Sequence, residues 1–258
     1  MPRAASPPGW RERRPPAVAA LALALLAGCG GASPLMHPAH PLEQGEVSLG
    51  AGFSAELAAT PSAAGAPGSA GRVLGDAAVP GGLSPWLAGR IGLAGSNEAG
   101  LGYTGRALRV DARHAFALGR PTLSAGIGMS ALLPHRREEQ AANVSGGGVD
   151  VPVLLGLRSD RDTYAAWIGA RGSVELLRGS RQIELEPGSP SSELRIDDID
   201  AWHACAGGLA GLRVGVRYLY AVAELGASMH FAGASVGEES VSLRQLGLAP
   251  AGALVGRF

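Results

Sequence analysis

The chain has 258 residues, with 22 acidic and 22 basic side chains, so its formal net charge is zero. Every basic residue is an arginine, and the absence of a basic stripe argues against nucleic acid as a partner. Glycine supplies 40 residues, about twice the usual share, and only 17% of residues are charged. A chain of this length and composition suits a single all-β domain.

The N-terminus has the layout of an export signal. Arg3, Arg11, Arg13 and Arg14 form a basic start, and Ala17–Leu26 is an apolar run of ten residues without a charge. Such a run is too short for a membrane-spanning helix, which needs about 20 residues. It is typical of a secretory signal peptide.

The apolar run ends in Leu26-Ala27-Gly28-Cys29, which resembles the lipobox of bacterial lipoproteins. The resemblance implies that residues 1–28 are removed as a signal peptide. It also implies that Cys29 carries diacylglycerol on its sulfur and an acyl chain such as palmitate on its amine, with no other cofactor. Lipoprotein-sorting machinery of a Gram-negative cell is then a partner. The alternative is ordinary signal cleavage nearby, for instance after Ser33, with Cys29 incidental.

Residues 29–45 show no hydrophobic periodicity and contain three prolines. The sequence therefore predicts a flexible tether between the lipid and a folded domain at residues 46–258. His37 and His40 have a spacing that could grip a metal, but a solvated linker is the favoured interpretation. Since Cys29 is assigned to the lipid, Cys205 stands alone and no intramolecular disulfide is expected.

From residue 46 onward, apolar and polar residues alternate with a period of two, the signature of strands with one polar face. Most of the alternating segments run for about 10–16 residues, long enough for transmembrane β-strands, which need about 9–11. The ten predicted strands are Glu46–Leu57, Leu83–Ala94, Ala99–Thr104, Ala107–Leu118, Thr122–Leu133, Val149–Leu157, Tyr164–Leu176, Asp198–Arg213, Arg217–Phe231 and Val241–Phe258.

Short turns, predicted at 96–98, 119–120, 159–162 and 214–216, alternate with longer connections at 58–82, 134–148, 179–197 and 232–240. Outer-membrane barrels alternate short periplasmic turns with longer outer loops in this way. Extending the alternation back to residue 46 requires one more turn at Gly105-Arg106, without which the count falls to nine. An even count places both termini in the periplasm.

These patterns predict an all-β fold, a closed antiparallel transmembrane β-barrel of about ten strands (eight to ten). In lipid the apolar face of each strand must point outward and the polar face into the lumen. Opposite charges then pair across a narrow lumen, where inward glycines leave room for arginine. The polar residues predicted to face the lumen are Arg90, Asp111, Arg113, Arg171, Glu175, Glu224, Ser228 and His230.

The chain ends in Phe258, which resembles the C-terminal insertion signal that the barrel-assembly machinery reads in outer-membrane proteins. That family also favours an apolar residue two positions earlier, where this chain has Gly256. The resemblance implies an outer-membrane location, with membrane lipid as a partner and a lipid-anchored, periplasmic N-terminus. The alternative is a periplasm-facing lipoprotein whose soluble β-barrel or sandwich binds a ligand or another protein.

The sequence contains no P-loop, CxxC, HExxH or GxSxG motif in the required context. An enzymatic alternative, a barrel esterase or lipid deacylase, would use Ser228, His230 and Glu224 on the inner face of one strand. Residues two apart on a strand lie about 6.6 Å apart, so their side chains need not meet. We therefore expect a non-enzymatic barrel of structural, adhesive or narrow-pore type, with no catalytic residue and no metal site.

Overall fold

The computed structural model describes residues 33–59, 69–79, 81–137, 142–184 and 194–258. The predicted signal peptide and Cys29 lie outside these residues. The described residues form one closed antiparallel barrel of ten strands and one helix, which confirms the predicted fold class. The elements are β1 (Val47–Ala58), α1 (Ala70–Ala78), β2 (Gly82–Leu93), β3 (Asn97–Tyr103), β4 (Ala107–Ala117), β5 (Thr122–Arg137), β6 (Ala142–Arg158), β7 (Tyr164–Glu184), β8 (Leu194–Val216), β9 (Leu219–Val236) and β10 (Glu239–Arg257).

The barrel closes between its first and last strands. Strand β1 pairs with β2 on one side and with β10 on the other, and Ser48 lies opposite Arg257. Val47 and Phe258 exchange two backbone hydrogen bonds at 2.9 and 3.0 Å, so the C-terminal residue completes the ladder. Because no edge strand remains, every strand can satisfy its backbone polar groups within the sheet.

The turn inferred at Gly105-Arg106 is present, between β3 and β4, and it brings the strand count to ten. Gly105 has φ of +72°, a left-handed conformation that favours glycine in a tight turn. One end of the barrel, here called the turn end, contains the start of β1 and the end of β10. Four connections also lie there: β2–β3, β4–β5, β6–β7 and β8–β9. The opposite end is called the loop end.

The outer face of the barrel is apolar. In β1, Leu49, Phe53 and Leu57 are exposed, whereas Ser54 and Glu56 between them are buried. The same alternation continues around the wall, with exposed leucine, isoleucine and valine on every strand from β2 to β8. A surface of this kind fits lipid, and it would be an unusually large apolar patch on a water-soluble protein.

Several strands are longer than their sequence pattern predicted. Strands β5 and β6 extend through most of the predicted loop at 134–148, and β7 and β8 through most of that at 179–197. At a tilt of about 40°, the 23 residues of β8 span about 60 Å, against about 25 Å for the apolar band of a membrane barrel. Strand β8 is therefore longer than a membrane-spanning strand requires, and the extra length lies at the loop end.

No helix was predicted between β1 and β2, but α1 lies there and is buried at the loop end. Its apolar residues Val73, Leu74 and Ala78 pack against inward side chains of the strands, including Leu177 and Val236. Ser69 caps its N-terminus by accepting a hydrogen bond from the Arg72 amide. No helix within the described ranges is long and apolar enough to cross a membrane.

The prediction of a solvated tether is wrong for residues 33–45, which we call the plug. Leu35, Met36 and Ala39 are at most 3% exposed and lie inside the barrel. They pack against the lumen-facing side chains Trp86 and Trp167, together with apolar residues of several strands. Prolines and a lack of periodicity were taken as signs of a linker, but an extended segment without internal hydrogen bonds also fits a narrow lumen.

The variant Ile127→Arg tests whether lipid covers the outer face. The Ile127 side chain is 57% exposed, and it lies five residues above the start of β5, about 13 Å from the turn end. A charged residue near the midplane of the bilayer should lower the free energy of unfolding by about 2–4 kcal/mol. Urea titration in lipid vesicles measures this change, with Ile127→Leu as the control. A loss within about 0.5 kcal/mol, typical of a solvated surface, would contradict the lipid-facing assignment.

Candidate functional site

The lumen holds all eight of the polar residues predicted to face it. The structure divides them between two facing regions. One is a wall of ion pairs on β2, β3, β4, β6 and β7. The other is a cluster of histidine, serine and glutamate residues on β1, β8 and β9. The first region contains Arg90, Asp111, Arg113 and Arg171, and the second contains Ser228 and His230. Glu175 bonds Arg106 and His203, whereas Glu224 bonds Trp167 and two backbone amides at Leu35 and Met36.

Arginine–carboxylate pairs form a continuous chain along the first region. Arg90 donates two hydrogen bonds to Asp111, at 2.6 and 3.2 Å. Arg109 donates two to Asp150, both at 2.9 Å, and also bonds Asp111. Paired hydrogen bonds of this kind fix the guanidinium plane as well as its charge. The wall is therefore rigid, and its buried charges are compensated.

Glycines leave the space that these arginines occupy. A Cβ atom at Gly100 would lie 2.6 Å from the Arg90 guanidinium and 2.9 Å from Asp111. A Cβ atom at Gly128 would lie 2.5 Å from both Arg109 and Asp150. Real Cβ atoms do not approach neighbours so closely, so the high glycine content of the chain has a packing cause at these positions.

Lumen-facing side chains on several strands hold the plug by its main chain. The Glu224 carboxylate accepts hydrogen bonds from the amides of Leu35 and Met36, at 2.8 and 2.9 Å. The Glu98 carboxylate accepts one from the Leu42 amide at 2.8 Å. In addition, Arg113 donates to the carbonyls of Pro38 and His40, and Arg171 donates to that of Ser33. These bonds give the plug the partners that its extended backbone lacks internally.

Two histidines of the plug are buried without a full set of partners. Nε2 of His37 and Nδ1 of His40 have no hydrogen-bond partner among the described residues. Burial, together with the positive charges of Arg113 and Arg90, holds the pKa of His37 well below its usual value. Burial and the nearby arginines Arg158 and Arg213 lower the pKa of His40 to about 4. Both imidazoles are therefore neutral at pH 7 while the plug is seated.

A chamber of about 120 Å³ separates the plug from α1. Its floor is the upper part of the plug, from Ser33 to Leu35, and its roof includes Ala78 of α1. Its sides are partly apolar, with Leu132 and Leu209, and partly polar. This volume is close to that of a cavity that accommodates a benzene-sized molecule.

A line of hydrogen bonds crosses one side of the chamber. Ser228 Oγ lies 2.7 Å from His230 Nε2, and His230 Nδ1 lies 3.0 Å from His203 Nε2. His203 Nδ1 lies 2.9 Å from Glu175 Oε2, and Glu56 Oε1 is 3.5 Å from His230 Nε2. We call Ser228, His230, His203 and Glu175 the serine relay.

The structure therefore brings together Ser228 and His230, which sequence spacing alone did not require to meet. Glu224, the third residue of the enzymatic alternative, instead binds the plug and the Trp167 indole. Sequence reasoning did not identify His203 on β8, and it did not link Glu56 on β1 or Glu175 on β7 to the histidines. Within the described part of the chain, no three His, Cys, Asp or Glu side chains converge as a metal site.

No protein-family model and no curated protein matches this chain. Similar solved structures include Neisserial surface protein A, with a TM-score of 0.33 and 11% identity over 82% of this chain and 94% of that one. The N-terminal β-barrel domain of Pseudomonas aeruginosa OprF gives 0.29 and 13%, over 84% and 100% of the two chains. The Pseudomonas putida toluene transporter TodX gives 0.36 and 9%, over 85% and 90%. These similarities concern the barrel fold alone.

Acid should release the plug, because a released histidine has a pKa near 6.5 and the seated ones have lower values. The released state binds more protons. Seating of the plug is therefore favoured above pH 6.5 and weakens as the pH falls toward the lower pKa values of the two histidines in the seated plug. Met36→Cys in a Cys205→Ser background reports release, since residue 36 is only 2% exposed. We compare the rate at which a maleimide modifies the Met36→Cys variant with the rate for an exposed Glu43→Cys variant. The ratio of the two rates should rise on the order of 10-fold when the pH is lowered from 7.5 to 5.

The matched control for this prediction removes the titrating groups. With His37→Gln and His40→Gln together, the relative reactivity of Met36→Cys should no longer change between the two pH values. An equal rise in this variant would show that other groups cause the release, and no rise in either protein would show that the plug does not leave.

Proposed function

We propose that the protein is a lipid-anchored outer-membrane β-barrel of narrow-pore type, whose lumen is closed at rest by two gates. The observation that carries the proposal is the chamber, which lies between two closures made by separate segments. The plug closes the turn end through hydrogen bonds from its main chain to Glu224 and Glu98. Helix α1 closes the loop end through apolar packing. Neither gate is part of the strand ladder, so either can move while the barrel stays closed.

The outer-membrane location is supported by physical arguments. An apolar outer face and a polar, charge-paired lumen suit a barrel surrounded by lipid, since lipid provides no hydrogen-bond partners. The basic start and short apolar run at the N-terminus support export across the inner membrane. Barrel-assembly machinery would then insert the domain, with Phe258 at the end of the last strand as its signal.

The narrow-pore role is supported by the size of the barrel. About eight strands are just filled by side chains, and about sixteen leave an open channel, so ten leave room for a single extended chain. Removal of that chain would expose a passage lined by Arg90, Asp111 and Arg113 on one side. We propose that small polar solutes pass once both gates open, and that the closed state protects the cell from leakage.

We propose that Cys29 is acylated, and the position of the plug limits where this lipid can lie. Arg171, which binds the Ser33 carbonyl, lies seven residues above the start of β7, about 18 Å from the turn end. Cys29 and Ser33 are four positions apart in the chain, and a stretch of this length reaches at most about 14 Å. Because this reach is shorter than the distance, we propose that Ser33 leaves Arg171 when lipid on Cys29 lies in the inner leaflet, while Leu42 at the lower end of the plug stays bound to Glu98. The mass of the mature N-terminal peptide distinguishes acylated Cys29 from cleavage after Ser33.

Planar-bilayer conductance tests the two-gate proposal. The wild-type protein should be silent, and so should each single-gate variant. Glu224→Gln weakens the plug by replacing a charged acceptor of two amides, and Leu74→Asp places a charge in the seat of α1. The double variant should conduct in steps.

Two controls accompany the conductance measurement. Glu43→Gln, an exposed change at the lower end of the plug, should behave as wild type when combined with Leu74→Asp. Faster migration of unboiled protein on a detergent gel shows that each variant retains its barrel. Steady wild-type conductance, or a folded but silent double variant, would contradict the proposal.

A further inference from the structure

We propose that Ser228 is a catalytic nucleophile, and that the chamber hydrolyses small esters of short-chain carboxylic acids with His230 as the general base. This inference stands on the serine relay and does not depend on conduction through the barrel.

The relay has only one arrangement of protons that satisfies all of its bonds with neutral imidazoles. The Glu175 carboxylate can only accept, so His203 must donate from Nδ1 at 2.9 Å. His203 Nε2 is then an acceptor and takes the Nδ1 proton of His230 at 3.0 Å. His230 Nε2 is left as the acceptor for the Ser228 hydroxyl at 2.7 Å. The chain of bonds therefore aims a basic nitrogen at the serine proton, as nucleophilic catalysis requires.

A second carboxylate is placed to stabilise the charge that forms when the serine proton moves. Glu56 Oε1 lies 3.5 Å from His230 Nε2, the atom that receives the proton. It is buried and has no hydrogen-bond partner among the described residues, so an imidazolium N–H would supply one. Glu56 can thus pair with the imidazolium as it forms during proton transfer, which is the arrangement that lowers the barrier to attack.

Glycines keep the space around Ser228 open. Gly207 on β8 and Gly247 on β10 are the cross-strand partners of Ser228. A Cβ atom at Gly247 would lie 2.8 Å from His230 Nε2 and closer still to Glu56, so only glycine permits their approach. Ser228, His230 and Gly207 all line the chamber, so a molecule inside it can reach the hydroxyl.

The chamber sets the class of substrate. A volume of about 120 Å³ admits an ester of only a few carbon atoms on each side of the carboxyl group. Leu132, Leu209 and Ala227 give it an apolar surface for the acyl chain. Long-chain lipids do not fit, which separates this site from hydrolases that act on the membrane surface.

The reaction balances with water as the only co-reactant. Ser228 Oγ bonds to the carbonyl carbon and its proton passes to His230 Nε2. The bond from that carbon to the alcohol oxygen then breaks, and the alcohol leaves with the proton from His230. Water attacks the acyl–serine, passes a proton to His230 and releases the carboxylic acid, while Ser228 regains its proton. His203 and Glu175 are positioning residues, because they act through His230.

Two reagents of similar size test the proposal on the detergent-folded protein. Methanesulfonyl fluoride reacts with an activated serine, so that a sulfur–oxygen bond forms and fluoride leaves. Methyl methanethiosulfonate reacts with cysteine and reports access, since Cys205 lines the same chamber. We expect sulfonylation at Ser228 in peptide mapping, and release of acetate from vinyl acetate. Ser228→Ala should abolish both, and His230→Gln should slow both at least ~100-fold.

Controls separate catalysis from structure. Ser124→Ala removes a buried serine that does not line the chamber and should leave both rates unchanged. His203→Gln should shift the pH at which sulfonylation is half-maximal, which a merely structural change would not do. Modification of Cys205 without sulfonylation of Ser228, or equal rates in wild type and His230→Gln, would overturn the proposal. If the wild-type chamber excludes both reagents, the same comparison is made in Glu224→Gln, once Cys205 reacts there.

Discussion

The lack of hydrogen-bond partners in lipid is the constraint on which the rest of the structure depends. It forces the sheet to close, turns the apolar side chains outward and leaves the lumen as the place for polar ones. Each charge in the lumen then needs a partner, because an isolated buried charge is very costly. The paired hydrogen bonds of Arg90 with Asp111 and of Arg109 with Asp150 meet that need, and each pair reaches past one intervening strand. Glycine content, charge pairing and strand alternation thus have one common cause.

The same constraint explains why the lumen captures part of its own chain. Glu224 and Glu98 face a narrow interior, and the plug amides satisfy them as acceptors. In return, the carbonyls of Pro38, His40 and Ser33 accept from Arg113 and Arg171, so much of the backbone of the plug gains hydrogen-bond partners. Most of these hydrogen bonds involve the main chain of the plug, so they hold the plug without depending on its side chains. That combination suits a segment that must seat firmly and still be able to leave.

The period of two in the sequence was enough to predict the barrel and most of its strands, because these depend on local alternation. The turn at Gly105-Arg106, and with it the count of ten, came from the alternation of short and long connections. The plug, α1 and the serine relay depend on contacts between distant residues, which alternation does not encode. The β8–β9 turn shows how sensitive such contacts are. It was predicted at 214–216 but lies at Arg217 and Tyr218, and only the true position sets His203 opposite Ala232, diagonal to His230. An error of a few residues in the predicted register is enough to miss the contact between His203 and His230.

The seating of the plug is the claim on which the account of the lumen rests, and a disulfide tests it most directly. A Cβ atom at Gly156 would lie 2.9 Å from the Cβ of Ala39, so a small shift brings the pair to the ~3.8 Å typical of disulfides. In a Cys205→Ser background, Ala39→Cys with Gly156→Cys should form this bond on mild oxidation of the folded barrel. Glu43→Cys with Gly156→Cys is the control pair. Cross-linking of the first pair alone is the predicted result; no cross-link, or equal cross-linking of both pairs, would contradict a plug inside the lumen.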